Sequence, residues 1–176
     1  MQTPHMNGSF SVFLFKVIMN SMAITLNATM VAGFYIVILF LIIVVDIRQR
    51  RILNVIALPA TVLALLISLT QGTRFFYLTF LGALIGVLFF YLLFWFGKRL
   101  YGPGALGFGD VKLAMLLGAM LGFQHILFTL ALGLLLAGVT GVILLCAGRR
   151  FHLRSTLPFG VFLAWAGIIM LVWNII

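Results

Sequence analysis

The feature that most constrains this chain is a series of long apolar runs with few charges between them. The longest, the 36 residues from Val111 to Cys146, has no acidic side chain and Lys112 as its one basic side chain. As a straight helix this run would be about 54 Å long, whereas the hydrocarbon core of a bilayer is about 30 Å thick. The run must therefore fold back on itself, and the polar, glycine-containing stretch Gly122–His125 is the predicted turn.

The composition excludes a soluble enzyme or a secreted domain. Of the 176 residues, 65% are hydrophobic and 7% are charged, whereas about 25% of the residues in a soluble domain are charged. We therefore predict an all-α, polytopic membrane protein with about six transmembrane helices. The predicted spans are 30–45, 52–70, 75–97, a short or partly inserted segment that starts at residue 111 after a Gly-rich loop, 126–146 and 157–176.

The first 29 residues fit this pattern less well, because polar side chains and Lys16 interrupt their apolar stretches. We predict an interfacial helix here, with an extra span or a leader-like segment as the alternatives. Residues 30–176 are predicted to form a single transmembrane domain.

The distribution of lysine and arginine predicts the orientation. If the six spans alternate, nine of the eleven basic residues fall on one face, and Lys16 and Arg74 fall on the other. Because basic loops remain in the cytoplasm, the nine mark the cytoplasmic face. The same alternation places the chain's two acidic residues, Asp46 and Asp110, at that face.

Those two aspartates are the candidate catalytic residues. Taken singly, Asp46 could pair with Arg50 one helical turn later, and Asp110 could cap the next helix. As a pair, they can share one proton, so that one activates water and the other protonates a scissile carbonyl, as in aspartic proteases. Carboxyl groups more than about 10 Å apart would argue against such a pair.

Other chemistries lack the residues that they need. Cys146 is the single cysteine, and the three histidines are far apart in sequence, so we expect no metal site and no cofactor. The sequence has no phosphate-binding glycine motif and no basic, aromatic-rich stretch typical of nucleic-acid surfaces. The lipid bilayer is the expected environment. His125 is predicted on the far face, away from the aspartates.

Three sequence blocks resemble the type IV prepilin peptidases, which are membrane aspartic proteases with a GxGD motif. The blocks are DIRQRRILN at 46–54, GFGDVKL at 107–113 and PFG at 158–160, in that order. Leu53 and Val161 stand where the family commonly has proline. The resemblance covers about residues 30–176.

The resemblance implies a function and a set of site residues. It implies that Asp46 and Asp110 cleave the short basic leader of a prepilin or pseudopilin, at the cytoplasmic face of the bacterial inner membrane. The residues expected to bind substrate or support the site are Gly107, Gly109, Lys112, Asn54, Pro158 and Gly160. Longer members of the family add a cysteine-tetrad domain and an N-methyltransferase activity, so with one cysteine we expect the peptidase-only form.

The roles of several of these residues have alternatives. The two glycines leave room for a substrate chain beside Asp110. Lys112 either orients a carboxylate or anchors its helix at the membrane surface, and Asn54 either holds a loop or caps a helix. The alternative functions for the whole chain are a proton-relaying transporter component, with its aspartates near mid-membrane, and a non-catalytic assembly protein.

Overall fold

Five α-helices make up the part of the chain that the structure describes. This computed structural model describes residues 8–49, 53–101, 107–146 and 159–175. In chain order the helices are α1 (Gly8–Gln49), α2 (Leu53–Thr70), α3 (Thr73–Tyr101), α4 (Phe108–Cys146) and α5 (Phe159–Ile175). Apolar side chains dominate each one, as expected where the backbone must satisfy its own hydrogen bonds in lipid.

Three of the helices contain segments long and apolar enough to cross a membrane. These segments are Asn27–Ile47 in α1, Thr73–Leu100 in α3 and Phe108–Ile143 in α4. The apolar segments in α2 and α5, Ile56–Thr70 and Phe159–Asn174, are shorter. The predicted all-α membrane fold is therefore confirmed, whereas the count of six crossings stays a prediction.

The N-terminal segment and the first predicted span form one continuous helix. α1 runs for 42 residues from Gly8, which corresponds to about 63 Å, or twice the thickness of the hydrocarbon core. Part of α1 must therefore lie outside that core or be strongly tilted. The interfacial position of its first turns stays a prediction.

The predicted turn within the longest apolar run is confirmed at Gly122. This residue has φ 70° and ψ 178° inside α4, a backbone conformation that is essentially restricted to glycine. Before the break, Leu117 lies against Gly167 of α5. After the break, Gly133 lies against Leu163 of the same helix. A straight helix would separate Leu117 and Gly133 by about 24 Å, so α4 reverses direction at Gly122.

Small residues bring the backbones of α3 and α4 into direct contact. Gly82 faces Gly118, and Gly86 faces Ala114, so close that a Cβ on either glycine of α3 would overlap a carbonyl oxygen of α4. Each step of four residues along α3 matches a step of four back along α4, which makes the pair antiparallel. Transmembrane helices associate through such van der Waals contact between small residues. This contact sets the height of α4, and hence of its first turn, in the bundle.

Hydroxyl groups inside the bundle bond to the preceding turn of their own helix. The hydroxyl of the buried Thr61 donates to the carbonyl oxygen of Ala57 at 2.7 Å, and that of the buried Thr129 donates to His125 at 2.8 Å. Such bonds satisfy a polar group locally where no water is available. They leave the packing between helices to apolar and small side chains.

The glycine contact between α3 and α4 predicts a sharp difference between two glycine substitutions. In Gly118→Ala the new methyl group would meet the backbone of Gly82, which cannot move aside without separating the helices. We expect a loss of about 1–3 kcal/mol and a Tm several degrees lower in detergent. Gly138→Ala is the matched control, because its Cβ would meet nothing within 4 Å. Equal melting temperatures for the two variants would contradict the close contact.

Candidate functional site

The first acidic residue of the site lies near the end of α1. Asp46 is three residues before the last residue of that helix, Gln49, and its side chain is 7% exposed. A carboxylate near a helix C-terminus faces the negative end of the helix dipole, which gives it no stabilisation. The site therefore places an acid where helix stability alone would not favour one.

The second acidic residue lies in the first turn of α4. The side chain of Asp110 is 9% exposed, and its backbone N–H donates to the carbonyl oxygen of Gly107 at 3.1 Å. Gly107 immediately precedes the helix, so Asp110 occupies the first turn rather than the capping position before it. It is the one acidic residue in that turn.

The first turn of α5 brings the two carboxyl groups to a common point. That point is the position that a Cβ would occupy on Gly160: it lies 3.0 Å from Oδ2 of Asp46 and 3.5 Å from Oδ1 of Asp110. Two atoms that are this close to one point are separated by no more than the sum of these distances. The carboxyl groups are therefore well within the about 10 Å that we set as the limit for a pair. Two buried acids, 64 residues apart in sequence, thus lie side by side in the fold.

Aromatic packing holds this turn of α5 in place. The ring of Phe159 lies 5.8 Å from that of Phe90 on α3, and Phe90 is completely buried. Phe90 lies four residues after Gly86 on α3, and Asp110 lies four residues before Ala114 on α4. Because the two helices are antiparallel and Gly86 faces Ala114, Phe90 is level with Asp110. One buried ring on α3 therefore supports the turn that faces both carboxyl groups.

The site thus combines parts of four helices. α1 and α4 each provide a carboxyl group, and both pack against α5. α3 provides the buried ring under the first turn of α5 and packs along α4.

Lys112 lies over an aromatic ring near the site. Its Nζ is 5.4 Å from the centroid of the Phe108 ring, which itself makes an edge contact with Phe94 at 5.8 Å. A lysine at this distance from a ring face gains a cation–π attraction. Lys112 thus packs on a ring of its own helix, and both roles considered for it stay predictions.

The remaining predicted site residues are only partly described. Gly107 is exposed and Gly109 is half-buried, and neither adds a side chain beside Asp110. The backbone of Asn54 lies in the first turn of α2, but its side chain is outside the described part, as are Pro158 and Arg50. The roles predicted for these three residues stay predictions.

A second polar region lies at the opposite end of the bundle. A cavity of about 410 Å³ is lined by residues that include Tyr35, Gln71, His125 and Asn174. Gln71 follows the last residue of α2, Asn174 lies in the last turn of α5, and His125 follows the Gly122 break, whereas Tyr35 lies within α1, 11 residues before Asp46. His125 is thus far from the acidic pair. Among the residues that the structure describes, no group of three or more His, Cys, Asp or Glu side chains could hold a metal ion.

Sequence reasoning identified the acidic pair but not the structure that holds it. The rings of Phe90 and Phe159 carried no distinguishing signal among 18 phenylalanines. One indication was available for Phe159, which lies in the PFG block beside Gly160. Nothing in the pattern of α3 marked Phe90, because its role depends on how α3, α4 and α5 pack.

Comparison with known proteins identifies the family. The type IV leader peptidase family matches residues 33–142, a range that contains Asp46 and Asp110. Curated relatives named prepilin leader peptidase/N-methyltransferase include one from Aeromonas hydrophila. It is 34% identical to this chain over a region that covers 74% of this chain and 44% of the relative's length. The protein of that name from Dickeya chrysanthemi is 35% identical over a region that covers 75% of this chain and 46% of the relative's length.

A further relative of the same name, from Aeromonas salmonicida (strain A449), is 39% identical over 53% of this chain and 32% of its own. The aligned part of this chain thus spans about a third to a half of the length of these relatives. No solved structure matches. The family match covers more than half of the chain, and the chain belongs to the type IV leader peptidase family.

Proposed function

We propose that this protein is a membrane aspartic endopeptidase that uses Asp46 and Asp110 to cleave a leader peptide. The observation that carries the proposal is the convergence of two buried carboxyl groups on the first turn of α5, within 3.0 and 3.5 Å of one point. These are the only two acids in the chain. Family membership and the name of the relatives, prepilin leader peptidase/N-methyltransferase, supply the reaction class.

The chemistry follows from the sharing of one proton by two neighbouring carboxyl groups. The ionised carboxylate accepts a proton from water while the water oxygen bonds to the scissile carbonyl carbon. The protonated carboxyl group donates its proton to the carbonyl oxygen. When the tetrahedral intermediate collapses, the C–N bond breaks and the leaving nitrogen takes the proton that came from water. The second carboxylate takes back the proton of the hydroxyl group that becomes the new carbonyl, so the pair again holds one proton.

Burial of the pair assists this chemistry. With side chains 7% and 9% exposed, the two carboxyl groups lie in a region of low dielectric, where charges interact more strongly than in water. Two carboxylates this close repel each other, so one proton between them is the favoured state. Each acid thereby has a different role in one catalytic step.

The proposed substrate is a prepilin-like or pseudopilin protein with a short basic leader. The name of the relatives refers to a prepilin leader. The activity proposed for this chain is that of the peptidase alone. Such a leader remains on the cytoplasmic side of the inner membrane, because positive charge opposes translocation. The proposal places the aspartates at that face, in agreement with the nine-to-two distribution of basic residues.

The position of the carboxyl groups supports a peptidase over a proton-relaying transporter. Asp46 lies near the end of α1, and Asp110 lies in the first turn of α4. Both are therefore at one end of the bundle, where a soluble leader can reach them. A proton relay across a membrane would place its acids near the middle.

Replacing either aspartate by asparagine tests the mechanism. We expect Asp46→Asn and Asp110→Asn each to reduce cleavage of a co-expressed prepilin at least about 100-fold, since a general acid or base contributes about 10²–10⁴-fold. Loss of the leader is measured by mass spectrometry of the purified substrate. His125→Asn is the control, because it removes a titratable side chain at the far end of the bundle. Cleavage at the wild-type rate by either aspartate variant would overturn the aspartic mechanism.

The proposed orientation is tested by labelling cysteines with a reagent that cannot cross the membrane. Cys146 is exposed and ends α4, on the proposed cytoplasmic side, whereas the exposed Thr73 starts α3 on the other side. In intact spheroplasts we expect labelling of Thr73→Cys in a Cys146→Ser background, and labelling of Cys146 only after permeabilisation. A membrane-permeant reagent should label both positions. The reverse order would place the aspartates on the outer face.

A further inference from the structure

We propose that Gly160 is a positioning residue whose missing side chain allows the carboxyl groups of Asp46 and Asp110 to meet at the first turn of α5. This inference rests on the proposed aspartic peptidase function and gives Gly160, so far expected only to support the site, a specific role. The main evidence is the crowding that a single methyl group would cause at this position.

A Cβ at Gly160 would be crowded by the carboxyl group of Asp46. A Cβ there would lie 3.0 Å from Oδ2 and 3.5 Å from Cγ of Asp46, as well as 3.5 Å from Oδ1 of Asp110. The first of these contacts is shorter than van der Waals packing between a carbon and an oxygen normally permits. A side chain at this position would therefore push the carboxyl group of Asp46 by a few tenths of an ångström.

The backbone of α5 is less free to move than the carboxyl group. Gly160 lies in the first turn of the helix and is buried, and its neighbour Phe159 packs against the fully buried Phe90. Close-packed interiors transmit such a strain to the most movable atoms nearby. The most movable group next to the new methyl is the carboxyl group of Asp46.

A small displacement of that carboxyl group is enough to matter. General acid–base catalysis requires hydrogen-bond reach between the catalytic group and the proton that it transfers, and a misplacement of about 1 Å can cost about 100-fold in rate. A methyl group at residue 160 would also contact the carboxyl group of Asp110, 3.5 Å from its Oδ1. Both effects act on the chemical step rather than on substrate binding.

Gly133 provides a matched comparison. A Cβ there would lie 2.8 Å from Cδ1 of Leu163 on α5, so Gly133→Ala also crowds the contact between α4 and α5, and to a similar degree. The atoms that it meets are Cδ1 of Leu163 and, at 3.3 Å, the Cα of the same residue, and no carboxyl oxygen is among its three nearest atoms. Gly133→Ala therefore reports the effect of crowding the contact between α4 and α5 without a direct contact with either carboxyl group.

The first experiment compares the kinetics of Gly160→Ala and Gly133→Ala, purified in detergent with a prepilin substrate. We expect Gly160→Ala to lower kcat at least 10-fold with KM within twofold of the wild type. Gly133→Ala should keep kcat within twofold. An unchanged kcat in Gly160→Ala, or an equal loss in both variants, would overturn the inference.

The second experiment is a double-mutant cycle in thermal stability, which needs no activity. If Gly160→Ala alone fails to fold, the expected result is recovery of a folded protein in the Asp46→Ala background. Because the proposed clash is with the carboxyl group of Asp46, the loss of Tm caused by Gly160→Ala should be smaller in an Asp46→Ala background. The effect of Gly133→Ala should be the same in both backgrounds. Additive effects at residues 46 and 160 would contradict the proposed contact.

The two proposals fail in different ways. Full activity of Asp46→Asn would overturn the aspartic peptidase function itself. Inactive Asp46→Asn together with wild-type kinetics of Gly160→Ala would leave that function standing and overturn only the role of Gly160.

Discussion

The site depends on the close approach of α3 and α4. In lipid, no hydrophobic effect drives two apolar helices together, so their association relies on van der Waals contact between well-fitted surfaces. Gly82 and Gly86 meet Gly118 and Ala114 backbone to backbone, which allows only one register over this length. That register fixes how deep the first turn of α4, with Asp110, lies in the bundle. The same contact brings Phe90 level with Asp110, and the ring of Phe90 packs under the first turn of α5.

The acidic pair is costly for the fold, and the surrounding structure limits that cost. Burying carboxyl groups is unfavourable unless they are paired or neutralised, and here two lie within a few ångströms of Gly160. Neither helix that carries an aspartate needs to pack tightly on the other, because α5 packs against both. The first turn of α5 is therefore the element that joins two distant parts of the sequence into one site. A residue without a side chain at that junction keeps the carboxyl groups close without a steric clash.

The sequence was sufficient to predict the features that depend on local composition. The length of the apolar run from Val111 required a reversal, and the reversal occurs at Gly122 with a backbone conformation that favours glycine. The scarcity of acids identified Asp46 and Asp110, and the alternation of spans placed them on one face. The sequence also contains two pairs of glycines spaced four residues apart, Gly82 with Gly86 in α3 and Gly118 with Gly122 in α4. The sequence did not show which of these glycines face each other, because helix register is decided by packing over the whole contact.

What the sequence could not predict is how the third block takes part in the site. Gly160 was expected to support the site only because its PFG block resembles that of a family, and no property of a single glycine indicates which side chains surround it. The structure supplies a physical reason, since a Cβ at this position would crowd an oxygen of Asp46 and contact an oxygen of Asp110. The same reasoning separates Gly160 from Gly138 and Gly141, where a Cβ would meet nothing within 4 Å. Glycines that look alike in sequence thus differ in which atoms surround them. At Gly160 the neighbouring atoms belong to the two carboxyl groups proposed to carry out the reaction.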